Sequence, residues 1–177
     1  MDSAYKGQIP DSVLPYPKGL WNRTKYAFWK LISPGYVRGR DTLLRLGIIH
    51  HEGRQNFLIG TLAPGVKLED FLVYLKTQQF GNHFIAWEDD DELVSVRRLD
   101  NFEWQYHLRV FKDREVRGHY EYTPEAHPAW HSMEVRWEPR RDDFLRFLGD
   151  WVIPSKTFPE AIPQAAQIKA PLTKDAK

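Results

Sequence analysis

Apolar and polar residues alternate along the central part of the chain in a way that predicts β-strands. In residues 102–110 the even-numbered positions are apolar and the odd-numbered positions are polar. Successive side chains of a strand point to opposite faces, so this run predicts a strand with one apolar and one polar face. Similar runs at 83–87, 92–98, 115–122 and 132–137 complete a predicted antiparallel meander of four or five strands.

Three other segments have apolar residues at helical spacing, and each predicts an amphipathic helix. They are residues 20–32, 66–81 and 139–152. The sequence Ser33-Pro34-Gly35 is expected to end the first helix, and Gly81 the second.

Residues 41–62 are interpreted as a β-hairpin. Two apolar runs flank Glu52-Gly53, where glycine suits a tight turn. Pairing His51 with Arg54 places Leu46 opposite Ile59, so that one apolar face is in register.

Together these elements predict one α+β domain, a size that 177 residues allow. Its antiparallel β-sheet comprises the β-hairpin and the four- to five-strand meander, with a helix between them, a C-terminal helix, and irregular N- and C-terminal arms. The predicted segments are a basic aromatic arm with a short helix at 1–40, the α+β domain at 41–152 and a proline-rich, flexible tail at 153–177.

The predicted strand registers bring chemically active side chains together on the polar face of the meander. A loop at 112–114 places His107 opposite His119, close enough to share a ligand or a proton. The candidate catalytic residues are His107, His119 and Glu121.

A second loop, at 99–101, places Arg97 beside Glu103 and Ser95 beside Gln105 on the same face. The candidate ligand-binding residues are Trp87, Arg97, Glu103, Gln105, Arg109 and Arg117. Since the two arginines Arg109 and Arg117 face each other, Glu121, Glu103 or a bound anion is expected to offset their repulsion.

Two interpretations of this face stay open. An antiparallel sheet commonly has one solvated face, and mixed charges are ordinary there. Alternatively the face binds a ligand or catalyses a reaction, with His107 and His119 transferring protons and an arginine holding an anion.

Four residues form the pattern H-x-E-x5-H-x3-H: His119, Glu121, His127 and His131. It matches no known metal-binding motif, and Pro128 argues against a helix across its second half. No metal ligand and no cofactor are therefore assigned from the sequence, and a His-dependent metal-binding protein is the weaker alternative.

Composition narrows the function classes. A net charge of +1 gives no overall bias toward nucleic acid. The absence of cysteine excludes disulfides, thiolate metal sites and a cysteine nucleophile. The chain has no P-loop, G-x-G-x-x-G or G-x-S-x-G motif, which disfavours nucleotide hydrolysis and dinucleotide binding. With no apolar run of membrane-spanning length and no signal-peptide pattern, a cytoplasmic protein is expected.

The leading hypothesis is a ligand-binding or protein-interaction module that uses the polar-aromatic sheet face and the N-terminal arm. Its expected partner is a small anionic ligand or another protein, and two arms suit a homo-oligomer. Residues 1–40 carry seven Lys/Arg against two Asp, a local excess of +5, so nucleic acid or a membrane surface is expected only at 20–32. The alternative is a small enzyme that uses His107 and His119 for acid–base chemistry on an anionic small molecule.

Overall fold

The computed structural model describes residues 11–15, 17–48, 57–82, 91–132 and 137–160. Within these ranges the elements are α1 (Leu20–Ile32), a 3₁₀ turn (Ser33–Gly35), α2 (Tyr36–Arg45), β1 (Phe57–Leu62), α3 (Leu68–Thr77), β2 (Glu92–Leu99), β3 (Trp104–Phe111), β4 (Glu115–Tyr122), α4 (Pro128–Ser132), α5 (Arg141–Leu148), a second 3₁₀ turn (Gly149–Trp151) and β5 (Val152–Pro154).

The strands form one antiparallel sheet in the order β2-β3-β4-β1-β5. The predicted α+β fold with an antiparallel sheet is therefore confirmed. The three predicted helices correspond to α1, α3 and α5. Among the described residues, the helices are all too short or too polar to cross a membrane.

The predicted hairpin at 41–62 is wrong in its first strand. Residues 41–45 belong to α2, because the 3₁₀ turn at Ser33–Gly35 continues the helical path instead of ending it. A second strand has no place beside β1, since β4 pairs with one edge of β1 and β5 with the other. Short apolar runs such as 43–48 fit either a helix or a strand by periodicity alone.

The register of β3 against β4 is confirmed, with His107 opposite His119 and Tyr106 opposite Tyr120. The register of β2 against β3 differs from the prediction by four residues, and Arg97 lies opposite His107 instead of Glu103. The reason is a longer loop, in which Asn101 Oδ1 accepts hydrogen bonds from the backbone N–H groups of Glu103 (2.8 Å) and Trp104 (3.1 Å).

Even-numbered side chains of the meander form the apolar face, which packs against α3 and α5. Trp104 stacks on Tyr120 with ring centroids 4.9 Å apart, and Phe144 and Phe147 of α5 meet the Tyr106 ring edge-on. This aromatic layer is the hydrophobic core and accounts for much of the 14% aromatic content.

The polar face of the sheet is also buried, which contradicts its interpretation as a solvated surface. Glu125 and His131, from the chain after β4, lie over it, and Trp137 stacks on His119. Tyr36 Oη donates a hydrogen bond to the Pro128 carbonyl (3.0 Å), which ties α2 to α4. The sheet therefore lies between an apolar layer and a second, more polar layer.

Several predictions fall outside the described residues: the strand at 83–87 with Trp87, the turn at 49–56, and most of 132–137. The predicted segment boundaries at 40/41 and 152/153 stay a prediction. Helix α2 runs across the first and β5 across the second.

Candidate functional site

The polar face presents the odd-numbered side chains of three strands in cross-strand rows. The rows are Leu99–Gln105–Glu121, Arg97–His107–His119 and Ser95–Arg109–Arg117. Every polar member except Arg117 is buried. Buried polar groups are almost always bonded to one another, so this face is expected to form an internal network.

Three predicted catalytic residues meet at the centre of this network. His107 Nδ1 lies 3.3 Å from His119 Nε2 and 3.4 Å from Glu121 Oε1, and His119 Nε2 lies 3.3 Å from Glu121 Oε2. The side chains are only 8%, 1% and 1% exposed. We call these three residues the His–Glu triad. Each residue offers one atom that could bind a metal ion, and these three atoms all lie within 4.8 Å of one another.

Neighbouring side chains hold the triad in this arrangement. Ser95 Oγ lies 2.8 Å from His107 Nε2, so the hydroxyl engages the ring nitrogen that points away from the triad. Gln105 Nε2 donates a hydrogen bond to Glu121 Oε1 (2.8 Å), and Gln105 Oε1 accepts one from Arg97 Nη1 (3.0 Å). His107 and Glu121 are thereby oriented by a second layer of polar contacts.

The loop after β4 folds over the triad. His131 is buried, with Nδ1 2.9 Å from the Tyr122 carbonyl and 3.5 Å from Glu121 Oε2. The expectation that Pro128 prevents a helix here is wrong, because Pro128 is the first residue of α4, where its missing N–H breaks no helical hydrogen bond. His127 packs against the Tyr122 ring, with ring centroids 4.2 Å apart and planes tilted by 43°.

Burial and charge act in opposite directions on the triad. Burial alone would raise the pKa of Glu121, but the charges of His131 and His119 and hydrogen bonds from the triad histidines hold that pKa well below its usual value. Burial lowers the pKa of His107 to about 3, although Glu121 opposes the shift. At neutral pH the carboxylate is therefore ionised and His107 is neutral.

The predicted ligand-binding arginines have internal carboxylate partners, but not the expected ones. Arg109 pairs with Glu92 and Arg117 with Glu115, rather than with Glu121 or Glu103. Glu103 lies off the polar face in the loop and accepts a hydrogen bond from Lys25 of α1 (2.9 Å). The structure therefore separates Glu103 from the site and places Arg109 and Arg117 beside it.

Arg97 joins the network to a cavity of about 540 Å³ between the N-terminal segment and α1. Its guanidinium donates to both oxygens of Glu125 (2.7 and 2.9 Å) and to Ser12 Oγ (2.6 Å). The cavity wall also includes Tyr26 and Lys30.

The polar-face prediction missed the residues that lie far away in sequence. Glu125 lies outside every predicted strand, and Trp137 ends the predicted strand at 132–137. The pattern places neither of them on the polar face, which they reach from the chain after β4. His131 had a signal in the histidine spacing, but its position over Glu121 depends on the path of the loop.

Comparison with protein-family models, curated proteins and solved structures gives no match. The geometry of the site therefore carries the functional argument alone.

Proposed function

We propose that this protein is a metal-binding domain in which His107, His119 and Glu121 hold one divalent ion of the zinc class. The observation that carries the proposal is the convergence of these three buried side chains. His107 Nδ1 and His119 Nε2 lie 3.3 Å apart, His107 Nδ1 lies 3.4 Å from Glu121 Oε1, and His119 Nε2 lies 3.3 Å from Glu121 Oε2. The weaker sequence alternative becomes the preferred one, with His107 from the neighbouring strand in place of His127 and His131.

Those separations fit a tetrahedral ion. Zinc binds imidazole nitrogen and carboxylate oxygen at about 2.0–2.2 Å, which places tetrahedral ligand atoms about 3.3–3.6 Å apart. An octahedral face with similar bonds has ligand atoms about 3.0 Å apart, which is shorter than the 3.3 Å between His107 Nδ1 and His119 Nε2. Two imidazoles and one carboxylate are also a ligand set that zinc accepts.

Charge on the polar face supports a bound cation. Arg97 pairs with Glu125 and Arg109 with Glu92, so these ion pairs are balanced. Among the described residues, the cationic groups within 4 Å of the Glu121 carboxylate are all histidines. A divalent ion among these imidazoles would give this buried carboxylate a positive partner that does not depend on protonation of the histidines.

Three protein ligands leave a tetrahedral ion one further position. A zinc ion held by the triad would polarise the oxygen of a water bound at that position, which is the chemistry such a centre supplies. Direct acid–base catalysis by His107 and His119 is less supported, because both side chains are less than 10% exposed.

The proposed location is the cytoplasm. A chain without cysteine forms no disulfide bonds and therefore does not need an oxidising compartment.

The test is the metal content of untagged protein, followed by titration of chelator-treated protein with Zn²⁺ or Co²⁺. We expect one ion per chain, and a loss of affinity greater than about 100-fold in His107→Gln, His119→Gln and Glu121→Gln. Glutamine keeps most of the side-chain volume, so circular dichroism can separate lost binding from lost folding.

The matched control is His127→Gln, because His127 contacts Glu103 and Tyr122, neither of which belongs to the triad. This variant should bind the ion as the natural protein does. Folded, metal-stripped protein that binds neither Zn²⁺ nor Co²⁺ would contradict the proposal, as would three triad variants that bind normally.

A second candidate function is small-molecule binding, one form of the ligand-binding or protein-interaction module that the sequence favours. The cavity beside Arg97 supports it, since about 540 Å³ lies within the usual range for ligand sites. Its wall combines the Tyr26 ring with charged groups such as Lys30 and Asp11. The charged groups suit the polar part of a small molecule, and the Tyr26 ring suits an apolar part of the same molecule.

Native mass spectrometry of desalted protein tests this candidate. We expect a retained small-molecule mass that disappears in Ser33→Trp, which fills the cavity from its wall. Ser155→Trp is the control, because Ser155 lies on the exposed chain after β5. A ligand-free spectrum, or a ligand retained equally by both variants, argues against the cavity as the site.

A further inference from the structure

Helix α1 exposes its apolar side chains to solvent. Leu20, Trp21, Phe28 and Leu31 are 84%, 72%, 53% and 78% exposed. At about 100° per residue these four positions fall within an arc of about 100°, so they form one continuous stripe along the helix. An ordinary surface helix buries such a stripe against the core.

The opposite side of α1 attaches the helix to the domain, and it does so through polar and aromatic contacts. Lys25 Nζ donates to Glu103 (2.9 Å), and the Tyr26 ring meets Phe102 edge-on at 6.0 Å. Trp29 is the buried residue of the helix. These contacts fix the rotation of α1, and the exposed stripe is a consequence of that rotation.

Positive charge lies along one flank of the stripe. Residues 17–45 contain seven Lys/Arg and one acidic residue, Asp41, which gives a local charge of +6. On α1 the exposed cations Arg23 and Lys30 lie on one flank of the stripe. Asp41 is paired with Arg40, so the acid in this segment is already neutralised.

We infer that α1 is an interfacial helix that binds the surface of a membrane containing anionic lipid. Leucine, tryptophan and phenylalanine enter the boundary between headgroups and acyl chains, while flanking cations attract the anionic headgroups. The inference concerns a different surface from the His–Glu triad and does not depend on a bound metal.

Charge favours a lipid surface over a second copy of the chain or a nucleic acid. Two copies meeting through this face would bring Arg23 and Lys30 near their own equivalents, with Asp41 already paired. A nucleic acid would use the cations and Trp21 but would gain little from Leu20 and Leu31, because bases stack on aromatic rings.

Vesicle co-sedimentation of the full chain is the test, with phosphatidylcholine vesicles that contain phosphatidylserine and with pure phosphatidylcholine vesicles. We expect binding to the anionic vesicles that weakens as salt is added. The double variant Leu20→Ser/Leu31→Ser should bind at least about tenfold more weakly, and Arg23→Gln/Lys30→Gln should lose the preference for phosphatidylserine.

The control is Val73→Ser/Ile153→Ser, which removes two exposed apolar residues from α3 and β5. Its vesicle binding should equal that of the natural chain, and all variants should melt alike. Equal vesicle binding by the leucine variant overturns the inference. The inference is also overturned if the chain does not bind vesicles but instead self-associates or binds oligothymidylate, and if the leucine variant abolishes that association.

Discussion

At the scale of single residues, one hydroxyl controls how His107 presents its ring. Ser95 Oγ lies 2.8 Å from Nε2, while Nδ1 points to His119 and Glu121. A polar contact at the remote nitrogen of a metal-binding histidine fixes the tautomer and orientation of the ring, and its removal usually weakens metal affinity about 10–100-fold. Ser95 therefore belongs to the site, although it binds no ion itself.

Ser95→Ala should weaken Zn²⁺ binding by about 10–100-fold while the chain stays folded. The measurement is a competition titration against a zinc-binding dye, with a thermal melt of the metal-free protein beside it. Ser155→Ala, which removes an exposed hydroxyl distant from the triad, should leave the affinity unchanged. Unchanged affinity in Ser95→Ala would show that His107 is oriented by other contacts.

At the scale of elements, the sequence predicts the partner residues only where a short turn determines the register. The loop at 112–114 joins β3 to β4, and the resulting pairing of His107 with His119 agrees with the prediction. The β2–β3 register does not agree, because an even-numbered shift of four keeps apolar residues opposite apolar residues. Periodicity determines which face of the sheet each side chain occupies. The turn at Asn101 determines which residue of the neighbouring strand lies opposite it.

The same limit explains how much of the candidate site the sequence could predict. His107, His119 and Glu121 were predicted together because they come from one hairpin with a short turn. The pattern does not place Glu125, His131 or Trp137 over that hairpin, because the path of the chain after β4 brings them to the polar face. Local pattern cannot report a contact that depends on tertiary packing.

At the scale of the whole molecule, Arg97 connects the sheet to the layer that covers it. One guanidinium on β2 contacts Glu125 from the chain after β4, Ser12 from the N-terminal segment and Gln105 from β3. This arrangement explains why a polar face can be buried: the second layer supplies hydrogen-bond partners instead of apolar area.

The Arg97–Glu125 pair makes the stability of the whole fold sensitive to acid. Burial alone would raise the pKa of Glu125, but the hydrogen bonds and charge of Arg97, helped by His131, lower it. A carboxyl group with a lowered folded-state pKa contributes stability above its unfolded pKa, about 4.3, and that stability is lost as pH falls through the folded value.

Glu125→Gln should therefore be less stable than the natural chain at pH 7 and equal to it at low pH. Loss of one partner of a buried pair costs about 3–5 kcal/mol, or about 10 °C in Tm for a chain of this size. The difference should shrink as the pH falls below about 4, because protonation then removes the charge of Glu125 in the natural chain as well.

Thermal melts from pH 7 to pH 3 measure this stability difference. The control is Glu115→Gln, since the partly exposed pair of Glu115 with Arg117 should contribute at most about 1 kcal/mol. A gap of constant size across this pH range would mean that the Glu125 charge does not hold the covering layer on the sheet.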